Sequence, residues 1–128
     1  MEYEVGTLEN CPLSTAVQCD GPLYLVSQSD PVDVQACKSQ AERGRAQNAT
    51  GDKACMRFGL SVFPNFASCE HHRETFPGLG NHIAVAHLNA SHGVQAATPS
   101  NRSPEHCTWW PGKHVIRHTL FSVVAEES

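Results

Sequence analysis

The chain has 128 residues and 13.9 kDa, with 40% apolar and 17% charged side chains, six cysteines, eight histidines and a net charge of −4. That length predicts one domain, residues 1–128, burying roughly two-thirds of the surface its unfolded chain exposes. The composition excludes a disordered chain, no run approaches the roughly 20 apolar residues of a membrane helix, and the acidic balance speaks against a nucleic-acid partner.

Pro and Gly punctuate the chain into short elements with no repeat or low-complexity tract. The N-terminus, Met-Glu-Tyr-Glu-Val, carries neither the basic region nor the apolar stretch of a leader; the expectation is a trimmed secretory leader with Met1 added for expression. Residues 22–28 predict a strand after an Asp-Gly turn. A helix is expected next, with Asp30 as N-cap and Pro31 at the first helical position. Val34, Cys37 and Ala41 would form its apolar stripe, and Gly44 with residues 48–51 would end it. Met56, Phe58, Leu60 and Val62 alternate with Arg57, Gly59 and Ser61 and predict a strand over 55–63. A short helix is expected within 65–76, a turn at 77–80 and a strand over 82–88. Residues 89–104 read as a loop, and 113–124 as the longest strand. This order predicts an α+β fold, with about four antiparallel strands and one main helix on a face.

Cys11, Cys19, Cys37, Cys55, Cys69 and Cys107 form an even set without Cys-x-x-Cys, so three disulfides in an oxidising compartment are expected. Cys37, on the apolar stripe, should staple the helix to the sheet. Cys107 is the favoured partner, with Cys55, Cys11 and Cys19 the alternatives. Asn48-Ala-Thr, Asn89-Ala-Ser and Asn101-Arg-Ser are glycosylation sequons, the last weakened by Pro104.

All eight histidines lie between positions 71 and 118. His71-His72 beside Cys69, and His82 with His87 and His92, are the two sets to weigh as metal ligands. The 82-87-92 spacing does not converge on one point in a helix or strand, and Cys69 has a competing disulfide role, so no metal site is expected. Residues 1–52 hold eight acidic and three basic side chains, whereas 53–128 hold five acidic and six basic. Acid would therefore charge the histidine-rich part and polarise the surface. Of the Trp109-Trp110 pair, one ring should cap the core and the other is a candidate contact for a protein or glycan. No Gly-x-Ser-x-Gly marks a serine hydrolase.

The helix with Cys37, the strands at 55–63 and 82–88 and the closing segment from Trp109 to Val123 resemble the Leptosphaeria avirulence effector family of plant-pathogenic fungi. That family pairs a four-stranded antiparallel sheet with helices and disulfides. The resemblance implies a secreted virulence or avirulence effector that is neither an enzyme nor a cofactor carrier. Such a monomer would bind a host plant protein or immune receptor, outside host cells or after translocation into them. The rival expectation is a small secreted ribonuclease-like enzyme, which would draw on Glu74, His82, His118 and either Arg73 or Arg117.

Overall fold

In the computed structural model, which describes residues 1–6, 8–45 and 48–125, nine helices and strands follow one another. They are β1 (Val17–Gln18), β2 (Gly21–Ser27), α1 (Gly51–Arg57), β3 (Leu60–Val62), α2 (Phe66–Thr75), β4 (His82–Leu88), β5 (Gly93–Ala97), β6 (Cys107–Pro111) and β7 (Ser122–Val123). 3₁₀ turns cover Val34–Cys37, Pro77–Leu79, Ala90–His92 and Arg117–Leu120. The strands make two antiparallel sheets, ordered β1-β5-β6-β3 and β2-β4-β7. Tyr24 and Phe63 exchange backbone hydrogen bonds of 2.8 and 2.9 Å, which tie the two sheets together at one corner.

Alternation along each strand decides what is buried where. Leu23 and Leu25 of β2, Leu60 and Val62 of β3, Ala84, Ala86 and Leu88 of β4 and Trp109 of β6 share one core cluster, with Cys19 and Cys37 among them. Their strand neighbours supply two outer layers. On one, Ile83 packs with Cys69 and Phe66 of α2. On the other, Trp110 and Ala96 pack with Cys55 of α1 and with Tyr3, Val5, Leu8 and Leu13 of the N-terminal segment. The Cys11–Cys55 disulfide holds that segment to α1. The fold is α+β, with a four-stranded antiparallel sheet, a smaller companion sheet, one main helix and a disulfide brace.

The main helix is α2, not residues 31–44. Asn65 caps it by accepting from the Ser68 N–H at 2.8 Å. In 31–44 the Asp30–Pro31 peptide is cis, and Asp33, rather than Asp30, caps a four-residue 3₁₀ turn. A second cap follows at once: Ser39 Oγ accepts from the Glu42 N–H at 3.1 Å while Glu42 accepts from the Ser39 N–H at 2.9 Å. Two side-chain caps six residues apart each start a new turn, so no continuous helical ladder forms. Val34 is consequently 53% exposed, and the expected apolar stripe does not exist.

Three further expectations are corrected. The first half of 55–63 is the end of α1, because Ala54 and Cys55 bury one helical face; only Leu60–Val62 is strand. The loop 89–104 contains β5. Gly93 permits it, with φ of +128° and no room for a Cβ, which would lie 2.2 Å from the Trp110 carbonyl oxygen. The long strand over 113–124 shrinks to β7, because the Thr119 N–H and hydroxyl both donate to the Ile116 carbonyl and close a turn.

Candidate functional site

The outer face of the four-stranded sheet carries a polar cluster at the β3 end. Ser61 stands in register with Thr108, and Ala96 stands opposite Thr108 on the other side. Beyond the ladder the Thr98 N–H donates to the His106 carbonyl at 2.9 Å. Ser61, Thr108, His106 and Thr98 therefore project from one face. His106 Nε2 lies 2.8 Å from Ser61 Oγ. Its Nδ1 lies 2.9 Å from Thr98 Oγ1 and 3.1 Å from the Thr98 carbonyl oxygen. Thr98 Oγ1 is in turn 2.8 Å from Thr108 Oγ1. Gly59 fits this arrangement by size: a Cβ there would lie 2.3 Å from Thr108 Cγ2 and 2.9 Å from the Trp109 carbonyl oxygen.

α2 brings a second imidazole. The His72 ring packs tilted against Phe63, with centroids 4.7 Å apart, and lies 5.0 Å from Phe76, with its centroid 6.3 Å from that of His106. Its Nδ1 is 2.7 Å from Ser103 Oγ. Burial, reinforced by the neighbouring His106 and His71, lowers His72 to about 4. Burial also lowers His106, against the opposing bond to the Thr98 carbonyl. Both imidazoles are therefore neutral near pH 7.

A groove of about 560 Å³ opens over this region, with Leu60, Ser61 and Phe63 on its floor, His72 and Phe76 on one wall and residues 33–45 on the other. Lys38, Arg43, Arg45 and Asp33 line it as well. The outer wall is anchored at several points. The Ala41 N–H donates to the Arg57 carbonyl at 2.9 Å, and Arg117 Nη1 donates to the Cys37 carbonyl at 2.9 Å and to Glu42 Oε1 at 2.5 Å. Burial acts to raise Glu42, but the Ser39 N–H and Arg117 outweigh it and hold the carboxyl below its ordinary value.

The residues singled out from sequence fare differently. Trp109 and Trp110 are 0% and 1% exposed, so neither ring reaches a partner. Their indole N–H groups donate to the His92 and Cys55 carbonyls at 3.2 and 2.9 Å, which makes both structural. Asn48, Asn89 and Asn101 are exposed, and Asn89 accepts from the Ser91 N–H and caps the turn before β5.

The three expected disulfides are reduced to one. Cys19, Cys37, Cys69 and Cys107 are free thiols, so Cys37 staples nothing by a covalent bond. Burial pushes Cys19, Cys37 and Cys69 up to about 12, and burial together with Glu105 raises Cys107. Among the described residues no cluster of three or more His, Cys, Asp or Glu side chains is placed to hold a metal ion. No helix among them is long and apolar enough to cross a membrane.

The ribonuclease-type residues do not line one site. Arg117 is committed to Glu42 and Cys37 and borders a separate cavity of about 300 Å³ with His118. Arg73 donates to the Asn81 carbonyl at 3.0 Å and lies 3.7 Å from Glu70. Glu74 is exposed on α2, and His82 opens β4. Sequence reasoning missed Ser61 and His106, 45 residues apart in the chain. No local motif marks either one: Gly59-Leu60-Ser61 continues as Val62-Phe63, without the second glycine of a nucleophile turn. Compared with protein-family models, curated proteins and solved structures, the chain matches none of them.

Proposed function

We propose that this chain is a secreted fungal effector that acts by binding. A host plant protein or immune receptor would dock on the groove between residues 33–45 and α2, and so promote virulence or trigger recognition. The charge of that groove carries the proposal. In a chain of net charge −4, Lys38, Arg43 and Arg45 line it against Asp33. Cations gathered along a concave surface draw an acidic segment of a partner and fix its register. The fixed wall favours the same role, since a pre-formed groove spends little binding energy on ordering itself. The Cys11–Cys55 bond fits an oxidising compartment, and the exposed sequons at Asn48, Asn89 and Asn101 fit a glycoprotein.

Transient expression behind a secretory leader in host leaves, beside candidate receptors, tests the proposal. A receptor-dependent immune response is expected from the native chain. A Lys38→Glu/Arg45→Glu variant should keep its melting temperature and lose the response. Absence of any response, or an undiminished one in the charge-reversed variant, overturns the proposed docking surface.

A further inference from the structure

We propose that Ser61 is an activated hydroxyl with His106 as its general base, and that it accepts an acyl group from an ester or thioester entering the groove. This goes beyond the binding role and uses different side chains from the cationic rim.

Hydrogen-bond direction favours one tautomer. The Thr98 carbonyl oxygen can only accept, so its contact with His106 Nδ1 at 3.1 Å is a hydrogen bond when that nitrogen carries the ring proton, and we assign the proton there. A neutral imidazole has one such proton, which leaves Nε2 as a bare acceptor. The Ser61 hydroxyl at 2.8 Å therefore donates to Nε2. That is the tautomer a serine nucleophile requires, with the base oriented by a third group on its far nitrogen. Thr98 is the positioning residue. Its hydroxyl, also close to Nδ1, is held by Thr108 Oγ1 at 2.8 Å.

Accessibility and protonation state agree with this role. Ser61 is exposed and lies on the groove floor, whereas Leu60 and Val62 on either side are buried. The β3–β6 ladder already pairs Ser61 with Thr108, so the imidazole is not needed to close the sheet. Burial keeps His106 unprotonated near pH 7. The ionisable group facing it is His72 of α2, itself held neutral.

In the step, Ser61 Oγ attacks the acyl carbonyl carbon, forming the Oγ–C bond while the C–O or C–S bond to the leaving group breaks. The hydroxyl proton passes to His106 Nε2 and then to the departing alkoxide or thiolate. No oxidant or further reactant is needed.

A biotinylated fluorophosphonate probes the same geometry, since the Oγ–P bond forms as P–F breaks and the proton leaves with fluoride. Intact mass should show one adduct, mapped by peptide sequencing to Ser61 and missing in Ser61→Ala. His106→Gln should slow labelling by about 100-fold, the usual contribution of a positioned base. In the native chain the rate should level off by about pH 7, because His106 loses its proton below the ordinary histidine value. That profile decides the matter if His106→Gln does not fold. No adduct, an adduct elsewhere, an unchanged rate in folded His106→Gln, or a rate still climbing tenfold per pH unit at pH 9 each overturns the proposal. None of these outcomes depends on host binding.

Discussion

His72 shows what a single buried imidazole costs. It lies between Phe63 and Phe76 with Ser103 on Nδ1, and its pKa falls to about 4 through burial and the nearby His106 and His71. The unfolded chain returns it to the ordinary value near 6.5. Between those two values the unfolded state binds more protons than the folded state, so stability rises with pH and is lost as pH falls through that window. A tenfold change in proton affinity corresponds to roughly 1.4 kcal/mol, and partial solvent contact reduces the full effect to about 1–2 kcal/mol. Urea unfolding at pH 7, 5.5 and 4.5 should show that decline, with a visibly shallower slope in His72→Gln. An equal slope in the variant would assign the acid sensitivity elsewhere. In the sequence His72 stood out only as a neighbour of His71 and Cys69. Its real partners, Phe63, Ser103 and His106, lie far along the chain. The Ser61–His106 contact was hidden for the same reason: sheet pairing creates it, and no local spacing encodes it.

At the scale of elements, burial and disulfide pairing part company with expectation. Six cysteines suggested three bonds, yet Cys19 and Cys37 sit in the core cluster as small apolar side chains, and Cys69 fills the space between α2 and Ile83. Alkylating the unfolded, unreduced chain should therefore add four carbamidomethyl groups by intact mass. In the native chain Cys19, Cys37 and Cys69 should react slowly, because a thiol pushed up to about 12 holds almost no thiolate at pH 8. No addition after unfolding would restore the three-disulfide scheme. The elements that were legible carry their own signals. β4 reads from its apolar run, β2 from its β-prone residues, and α2 lies within the short helix expected over 65–76. β5 was not legible, since Gly93-Val-Gln-Ala-Ala has little strand propensity and exists by pairing on both edges with β1 and β6. α1 was masked because Met56 and Phe58 happen to alternate with polar or small residues, while Cys55 is drawn to Cys11 and the Trp110 indole.

For the whole molecule, Trp109 and Trp110 mark a division of labour. Trp109 points between the two sheets and meets Phe121 at 5.8 Å. Trp110 points the opposite way and is covered by the N-terminal segment. The sheets have their own shared core, but that segment is held by its apolar contacts, a few backbone bonds and one disulfide. The disulfide closes a loop with a sequence separation of 44, for which chain entropy predicts a contribution of about 4 kcal/mol. Removing it in Cys11→Ala/Cys55→Ala should lower the melting temperature and loosen the cover first. Limited proteolysis should then cut within residues 1–16 and leave a resistant fragment containing β2, α2 and β4. Trp110→Ala should expose the same cut sites by removing the surface on which the cover rests, at a cost of about 3–5 kcal/mol. Trp109→Ala, of similar cost, should instead open the inter-sheet core, so that cleavage appears throughout the chain. If both tryptophan variants gave one digestion pattern, the cover and the sheets would be a single cooperative unit. The groove would then depend on the N-terminal segment for its stability.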